Sequence, residues 1–142
     1  MLRGIDPILT PDLLHTLALM GHGDAIAIVD ANFPAAACGT RVHRLPGLGA
    51  APVLEAVLSL LPLDTYIPNP AVTMQVVGKA GTTPPAVADL NAVLRKHGAT
   101  DAATLERFAF YDATRAAFAI IQTGEPRAYG NIIVTKGVLG FD

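Results

Sequence analysis

Apolar residues recur along the chain at spacings that predict helices and buried strands in turn. The first predicted helix begins at Thr10-Pro11-Asp12, where a hydroxyl cap, an early proline and a first-turn acid all favour a helix start. Gly21 is predicted to end this helix. The segment Ala25-Ile26-Ala27-Ile28-Val29 is apolar throughout and bounded by turn residues, which predicts a strand buried on both faces.

Two further helices and four further strands are predicted downstream. The helices begin at Pro52 and at Thr83-Pro84, and the second of these closes at His97-Gly98. The predicted strands are 41–45, 72–77, 118–122 and 131–135; residues 62–70 are proline-rich loop, and 105–108 is ambiguous between strand and the start of a helix. This order predicts an α/β fold: a single three-layer α/β/α domain over residues 1–142, with a mixed, largely parallel sheet.

The composition adds an expectation about assembly and location. Hydrophobic residues make up 51% of the chain and charged residues 15%, against about 25% charged in a typical soluble domain, so we expect a homo-oligomer. No apolar run reaches the roughly 18–20 residues of a membrane span, and the N-terminus lacks the apolar core of a signal peptide. A net charge of −2 without a basic cluster argues against a nucleic-acid partner. The lone Cys38 is consistent with a reducing compartment, so we expect a cytoplasmic protein.

His22 is the first candidate for chemistry, because glycines flank it in Gly21-His22-Gly23. Histidine titrates near pH 6.5 and can therefore both accept and donate a proton at neutral pH. The alternative is a helix-terminal histidine that favours the negative end of the helix dipole. The segment is not a dinucleotide-binding fingerprint, since it precedes a strand and lacks the third glycine.

Asp30 and Tyr129-Gly130-Asn131 are the candidates for ligand binding. Asp30 closes a predicted buried strand, and ligands of open α/β sheets gather at strand carboxyl ends. A cap or turn role for Asp30 is equally consistent with its position. The phenol of Tyr129 and the amide of Asn131 can each donate and accept hydrogen bonds, which suits a polyhydroxylated ligand. A hairpin turn with a packing tyrosine explains the same residues. Arg107 either forms a surface ion pair or binds ligand oxygens through its guanidinium. The nearby Tyr111 belongs either to the core or to the site.

Metal and covalent chemistry find less support in the sequence. His22, Asp24, Asp30 and His43 are ligand types, but their spacing matches no zinc or iron motif. Cys38 has no evident activating partner, and there is no Gly-x-Ser-x-Gly. We therefore expect no metal site and no cofactor, and expect Asp24 to serve its turn.

Several segments, in order along nearly the whole chain, resemble one family, the ribose pyranase/fucose mutarotase (RbsD/FucU) family. They are Leu19-Met20-Gly21-His22-Gly23-Asp24, Asp30-Ala31-Asn32-Phe33-Pro34-Ala35, Arg107-Phe108-Ala109-Phe110-Tyr111, Ala117-Phe118-Ala119-Ile120, Thr123-Gly124-Glu125, Tyr129-Gly130-Asn131-Ile132 and Lys136-Gly137-Val138. The segments Asn32-Phe33-Pro34 and Arg107-Phe108 look like the fucose branch. Ala36-Ala37 departs from it, because fucose-type members often carry polar residues there.

The resemblance implies a cytoplasmic α/β enzyme that interconverts sugar ring forms without a cofactor, often as a ring-shaped decamer. It implies that His22 is catalytic and that Asp30 holds either this histidine or the sugar. It implies substrate-binding roles for Arg107, Tyr129 and Asn131, to which we add Tyr111. Since His22 and Asn131 lie at opposite ends of the chain, one hypothesis is that they meet across a subunit boundary.

We expect an L-fucose-type mutarotase, an isomerase that opens and closes the sugar ring by acid–base catalysis. The alternatives are a D-ribose pyranase and a non-catalytic sugar-binding accessory protein. A metal-dependent hydrolase would require His22, Asp24 and Asp30 to converge on one ion.

Overall fold

A mixed sheet forms the centre of the computed structural model, which describes residues 1–140. Its strands are β1 (Ala25–Val29), β2 (Val42–Leu45), β3 (Ala71–Met74), β4 (Ala103–Leu105), β5 (Ala119–Thr123) and β6 (Ile132–Thr135). They lie in the order β2-β5-β1-β6-β3-β4. β6 is antiparallel to both of its neighbours, while the other pairs are parallel. The predicted mixed, largely parallel sheet is confirmed.

Helices cover both faces of the sheet. They are α1 (Pro11–Leu19), α2 (Ala35–Cys38), α3 (Ala50–Leu58), α4 (Pro85–Lys96) and α5 (Arg107–Ala116). Because strand side chains alternate between faces, Ile26 and Ile28 of β1 join the apolar cluster under α1, α3 and α4. Ala27 and Val29 join the cluster under α2 and α5. The predicted three-layer α/β/α arrangement is therefore confirmed.

Element boundaries differ from the sequence prediction where local geometry intervenes. Thr10 caps α1 as predicted, since its side chain accepts a hydrogen bond from the Leu13 N–H at 3.2 Å. The helix ends before Gly21, because Met20 is already extended. β3 stops at Met74 rather than at residue 77, ahead of a loop that turns at Gly78 and Gly81, both with positive φ.

Two other segments are corrected or resolved by the structure. α3 begins two residues before Pro52, which places the proline in the first turn, where its missing N–H costs no helical hydrogen bond. The ambiguous segment splits at Glu106, whose carboxylate accepts hydrogen bonds from the Phe108 and Ala109 N–H groups and caps α5.

Strand direction decides which loops meet. β1, β3 and β4 end at one edge of the sheet, and the antiparallel β6 begins there. Asp30, residues 75–77, Arg107 and the 128–131 turn therefore share this edge, which we call the carboxyl edge. His22 precedes β1 and lies at the opposite edge. No helix within residues 1–140 is long and apolar enough to cross a membrane.

Candidate active site

An open cavity of about 260 Å³ lies at the carboxyl edge. Polar groups and an apolar wall line it: Asp30, Asn32, Phe33, Met74, Val77, Arg107, Tyr111, Ala128, Tyr129 and Asn131. The volume is below the roughly 300–1,000 Å³ of pockets for drug-sized ligands, so it suits a small molecule. Five of the six predicted site residues converge here, although they come from three separate stretches of the chain.

Asp30 and Asn131 form the buried floor of the cavity. The Asp30 N–H donates to Asn131 Oδ1 at 2.7 Å, and Asp30 Oδ1 accepts from the Asn32 N–H at 3.0 Å. Burial raises the pKa of the Asp30 carboxyl, and hydrogen bonds from Asn32, Asn131 and Phe33 offset part of this rise. A carboxylate of raised pKa is a stronger proton acceptor, so Asp30 is suited to accept a hydrogen bond from a ligand hydroxyl.

Tyr129 reaches the cavity from a strained turn. It has a φ of 64°, a left-handed conformation that is uncommon for residues other than glycine. Its hydroxyl accepts a hydrogen bond from the Val77 N–H at 3.1 Å, and its carbonyl accepts one from the Asn131 N–H at 2.8 Å. The turn thereby ties the entry of β6 to the loop that follows β3.

Arg107 and Tyr111 come from the first turns of α5. The guanidinium of Arg107 lies 4.5 Å from the centre of the Phe108 ring. Its Nε atom is buried and has no hydrogen-bond partner among the described residues. Such a donor is satisfied at low cost by an oxygen-rich ligand. The Tyr111 ring packs against Phe33 with centroids 5.3 Å apart, so it is both a packing residue and part of the wall.

His22 does not join this group within one chain. Its Nε2 lies 3.2 Å from Asp64 Oδ1, its ring centroid lies 5.4 Å from that of Tyr66, and its side chain is 45% exposed. β1 separates it from Asp30, and five strand residues alone span about 16 Å. Asp30 therefore does not hold the imidazole of its own chain; the carboxylate in contact with it is that of Asp64.

Asp64 is a functional candidate that sequence reasoning missed. It is buried in the proline-rich loop, where its N–H donates to the Thr135 carbonyl at 3.0 Å. Its Oδ1 also accepts the Tyr66 N–H at 3.0 Å. This backbone hydrogen bond and, to a smaller extent, the contact with His22 lower the pKa of Asp64. A buried carboxylate that is fixed by backbone groups can hold the imidazole of His22 in one orientation.

The other sequence candidates serve local structure. Asp24 Oδ2 accepts the Gly21 N–H at 2.7 Å and so serves its turn, as predicted. His43 Nε2 lies 2.7 Å from Thr16 Oγ1, on the side of the sheet that α1 covers. Among residues 1–140, no three His, Cys, Asp or Glu side chains group as metal ligands.

The chain is similar over almost its whole length to proteins of one family. Residues 3–139 match the model of the RbsD / FucU transport protein family. A human relative, "Fucose mutarotase", is 45% identical over 99% of this chain and 96% of its own. The crystal structure of a Streptococcus pneumoniae fucose mutarotase in complex with L-fucose is 37% identical, with a TM-score of 0.91 over 98% of this chain and 100% of that chain. Bacillus subtilis RbsD with D-ribose, 24% identical with a TM-score of 0.74 over 93% of this chain and 95% of that chain, shares the fold.

Proposed function

The chain belongs to the RbsD/FucU family, and from this premise we propose that it is an L-fucose mutarotase, an isomerase whose single domain spans residues 1–142. The observation that carries the proposal is the carboxyl-edge cavity. It brings together a carboxylate, a guanidinium, two phenols and two carboxamides, beside an apolar wall. Such a set can hold several sugar hydroxyls and, against Phe33 and Met74, the methyl group of a 6-deoxy sugar.

The reaction needs only proton transfers. A base removes the proton of the anomeric hydroxyl, an acid protonates the ring oxygen, and the bond from that oxygen to C1 breaks. The open aldehyde rotates about the C1–C2 bond, and the same steps in reverse close the ring with the other anomer. We assign the proton transfers to His22, assisted by a water or a second side chain, at a gain of roughly 10²–10⁴-fold.

Asp64 prepares His22 for this role. Its contact at 3.2 Å fixes the imidazole while the rest of the ring stays exposed to a ligand. When the imidazole takes up the proton of the anomeric hydroxyl, the carboxylate stabilises the resulting positive charge. Asp30, Arg107, Tyr111, Tyr129 and Asn131 then bind the sugar.

The active site is completed between two copies of the chain. His22 and the cavity lie at opposite sheet edges of one copy, so that a second copy supplies the imidazole to the sugar. Exposed apolar side chains on the surface support such an assembly; they include Leu2, Leu19, Leu60, Ile67 and Phe108. A ring-shaped homo-oligomer, a decamer, is the assembly we propose, and the single Cys38 supports a cytoplasmic location. A dissociated monomer with full activity would overturn the shared site.

Saturation-transfer NMR between anomers tests the function. The wild-type protein is expected to accelerate exchange between α- and β-L-fucose more than exchange between the ring forms of D-ribose. His22→Ala is expected to retain sugar binding and to lose roughly 10²-fold or more of the exchange rate. Stronger acceleration of D-ribose exchange would indicate a ribose pyranase. Binding without acceleration of either sugar would indicate an accessory protein that only binds.

A further inference from the structure

Glu125 is a buried carboxylate that the proposed reaction does not use. It lies in the turn between β5 and β6, and its side chain is 4% exposed. Oε1 accepts hydrogen bonds from the N–H and the Nε–H of Arg127 at 3.1 and 2.8 Å. Oε2 accepts from Nη2 of the same arginine at 3.2 Å and from the Ala50 N–H, at the start of α3, at 3.4 Å. A buried charge with this many donors is fixed in place.

The same residue joins the two segments that carry the cavity floor. The Glu125 carbonyl accepts the Ala31 N–H at 3.0 Å, directly after Asp30. Its Cγ packs against Gly130 so closely that a Cβ built on that glycine would lie 2.6 Å away. Gly130 stands between Tyr129 and Asn131, so the Glu125 stem supports the turn that presents both residues to the cavity.

Arg127 extends this connection to a third element. Its Nη1 donates to Asp89 Oδ2 of α4 at 2.8 Å, and its side chain is 43% exposed. The hydrogen bonds from Arg127 lower the pKa of Glu125, so the carboxylate is ionised and paired at neutral pH. The turn is therefore held between α3, α4 and the segment after β1.

A strained backbone persists only where its surroundings leave it no alternative. The left-handed φ of Tyr129 is such a case, because an aromatic residue gains nothing locally from this conformation. We propose that Glu125 and Arg127 form a positioning pair that holds the 127–130 turn in this strained form, and so sets the affinity of the cavity for sugar. The inference rests on the proposed function and adds to it two residues outside the cavity lining.

The pair acts on binding rather than on proton transfer. It contacts the segments that bear Asp30, Tyr129 and Asn131, whereas His22 lies at the other sheet edge. A loosened turn weakens sugar binding and leaves the rate of the bound complex largely intact. A role in folding alone would lower thermal stability without changing KM.

The experiment compares Arg127→Ala and Glu125→Gln with the wild type and with Asn91→Ala. Asn91 is the matched control, because it is buried and anchors the Ala102 N–H at 2.9 Å without lining the cavity. KM and kcat for L-fucose anomer exchange, the Kd for L-fucose by NMR titration, and Tm are measured for each protein. Because Arg127 is partly exposed, its variant is expected to fold even if Glu125→Gln does not.

We expect KM and Kd to rise about three- to tenfold in Arg127→Ala and about tenfold or more in Glu125→Gln, with kcat within about twofold of wild type. Asn91→Ala is expected to lose stability and keep its KM. Unchanged KM and Kd in Arg127→Ala would overturn the positioning role. A wild type that binds L-fucose without anomer exchange would refute the proposed function alone, since the Kd comparison still tests the pair; no binding at all would refute both.

Discussion

Replacing Asn131 by alanine tests how the cavity floor is built. The Asn131 side chain is buried, and its Oδ1 accepts the N–H of the buried Asp30 at 2.7 Å. Asn131→Ala removes this acceptor from the Asp30 N–H. A buried N–H that loses its partner costs about 1–3 kcal/mol. Because 1.4 kcal/mol is a factor of ten, a loss of this size in the liganded site weakens sugar binding by roughly 5- to 150-fold.

The substitution also changes the titration of Asp30. The Asn131 side chain is among the groups that lower the pKa of this carboxyl against the larger effect of burial. Without it the pKa rises further above the usual range, so that the carboxylate is protonated at a higher pH. The pH below which sugar affinity falls is therefore expected to move toward neutral pH. Binding titrations over a series of pH values measure this shift.

Urea unfolding at a fixed protomer concentration supplies the free-energy measurement, because oligomer stability depends on concentration. Asn69→Ala is the matched control: the residue is exposed and lies outside the cavity. It is expected to leave both stability and affinity within error of the wild type. If Asn131→Ala unfolds at the same urea concentration as the control and binds L-fucose equally well, the hydrogen bond to Asp30 does not support the cavity as described.

Other variants test separate parts of the account. Asp64→Ala frees the His22 ring and is expected to lower kcat about 10- to 10²-fold with little change in KM, measured by anomer exchange; an unchanged kcat would show that the contact at 3.2 Å does not orient the imidazole. Because folding lowers the pKa of Glu125, the pairing of this carboxylate stabilises the protein at pH values above its ordinary pKa, near 4.5. That stabilisation is lost as the pH falls through the lower pKa of the folded state. Calorimetry should therefore show a steeper fall of Tm on acidification in the wild type than in Glu125→Gln, and parallel curves would refute this. Gly124→Ala would drive a Cβ into the Pro46 carbonyl oxygen, so soluble yield and Tm should drop sharply, and a normal Tm would contradict that packing.

Hydrophobic periodicity predicted the layers of the fold but not all of its contacts. The continuous apolar run of β1 indicated burial on both faces, and Ile28 and Val29 do pack into opposite layers. The direction of β6 is not encoded in its sequence pattern, because a continuous apolar run is the same when read in either direction. It is this direction that brings Asn131 to Asp30, across 101 positions of sequence.

The cavity residues could be named from the sequence only with the help of the family resemblance. Taken alone, Asp30 is explained equally well as a turn residue, and Tyr129 is explained better as a packing residue of a hairpin. Asp64 gave no signal beyond an acid inside a loop, since its contacts with His22 and Thr135 join residues that are distant in sequence. Contacts between loops at a sheet edge depend on strand order, which local patterns do not specify.

Mixing two inactive variants tests whether His22 transfers protons to a sugar that is held in the cavity of another copy. His22→Ala keeps the cavity intact, and Asp30→Asn keeps the imidazole intact, so each protein alone is expected to be nearly inactive in L-fucose anomer exchange. Random co-assembly in equal amounts pairs an intact cavity with an intact imidazole at about one site in four. Roughly a quarter of the wild-type exchange rate is therefore expected to return on mixing. An exchange rate no higher than the sum of the separate variants, in confirmed mixed oligomers, would contradict transfer between copies.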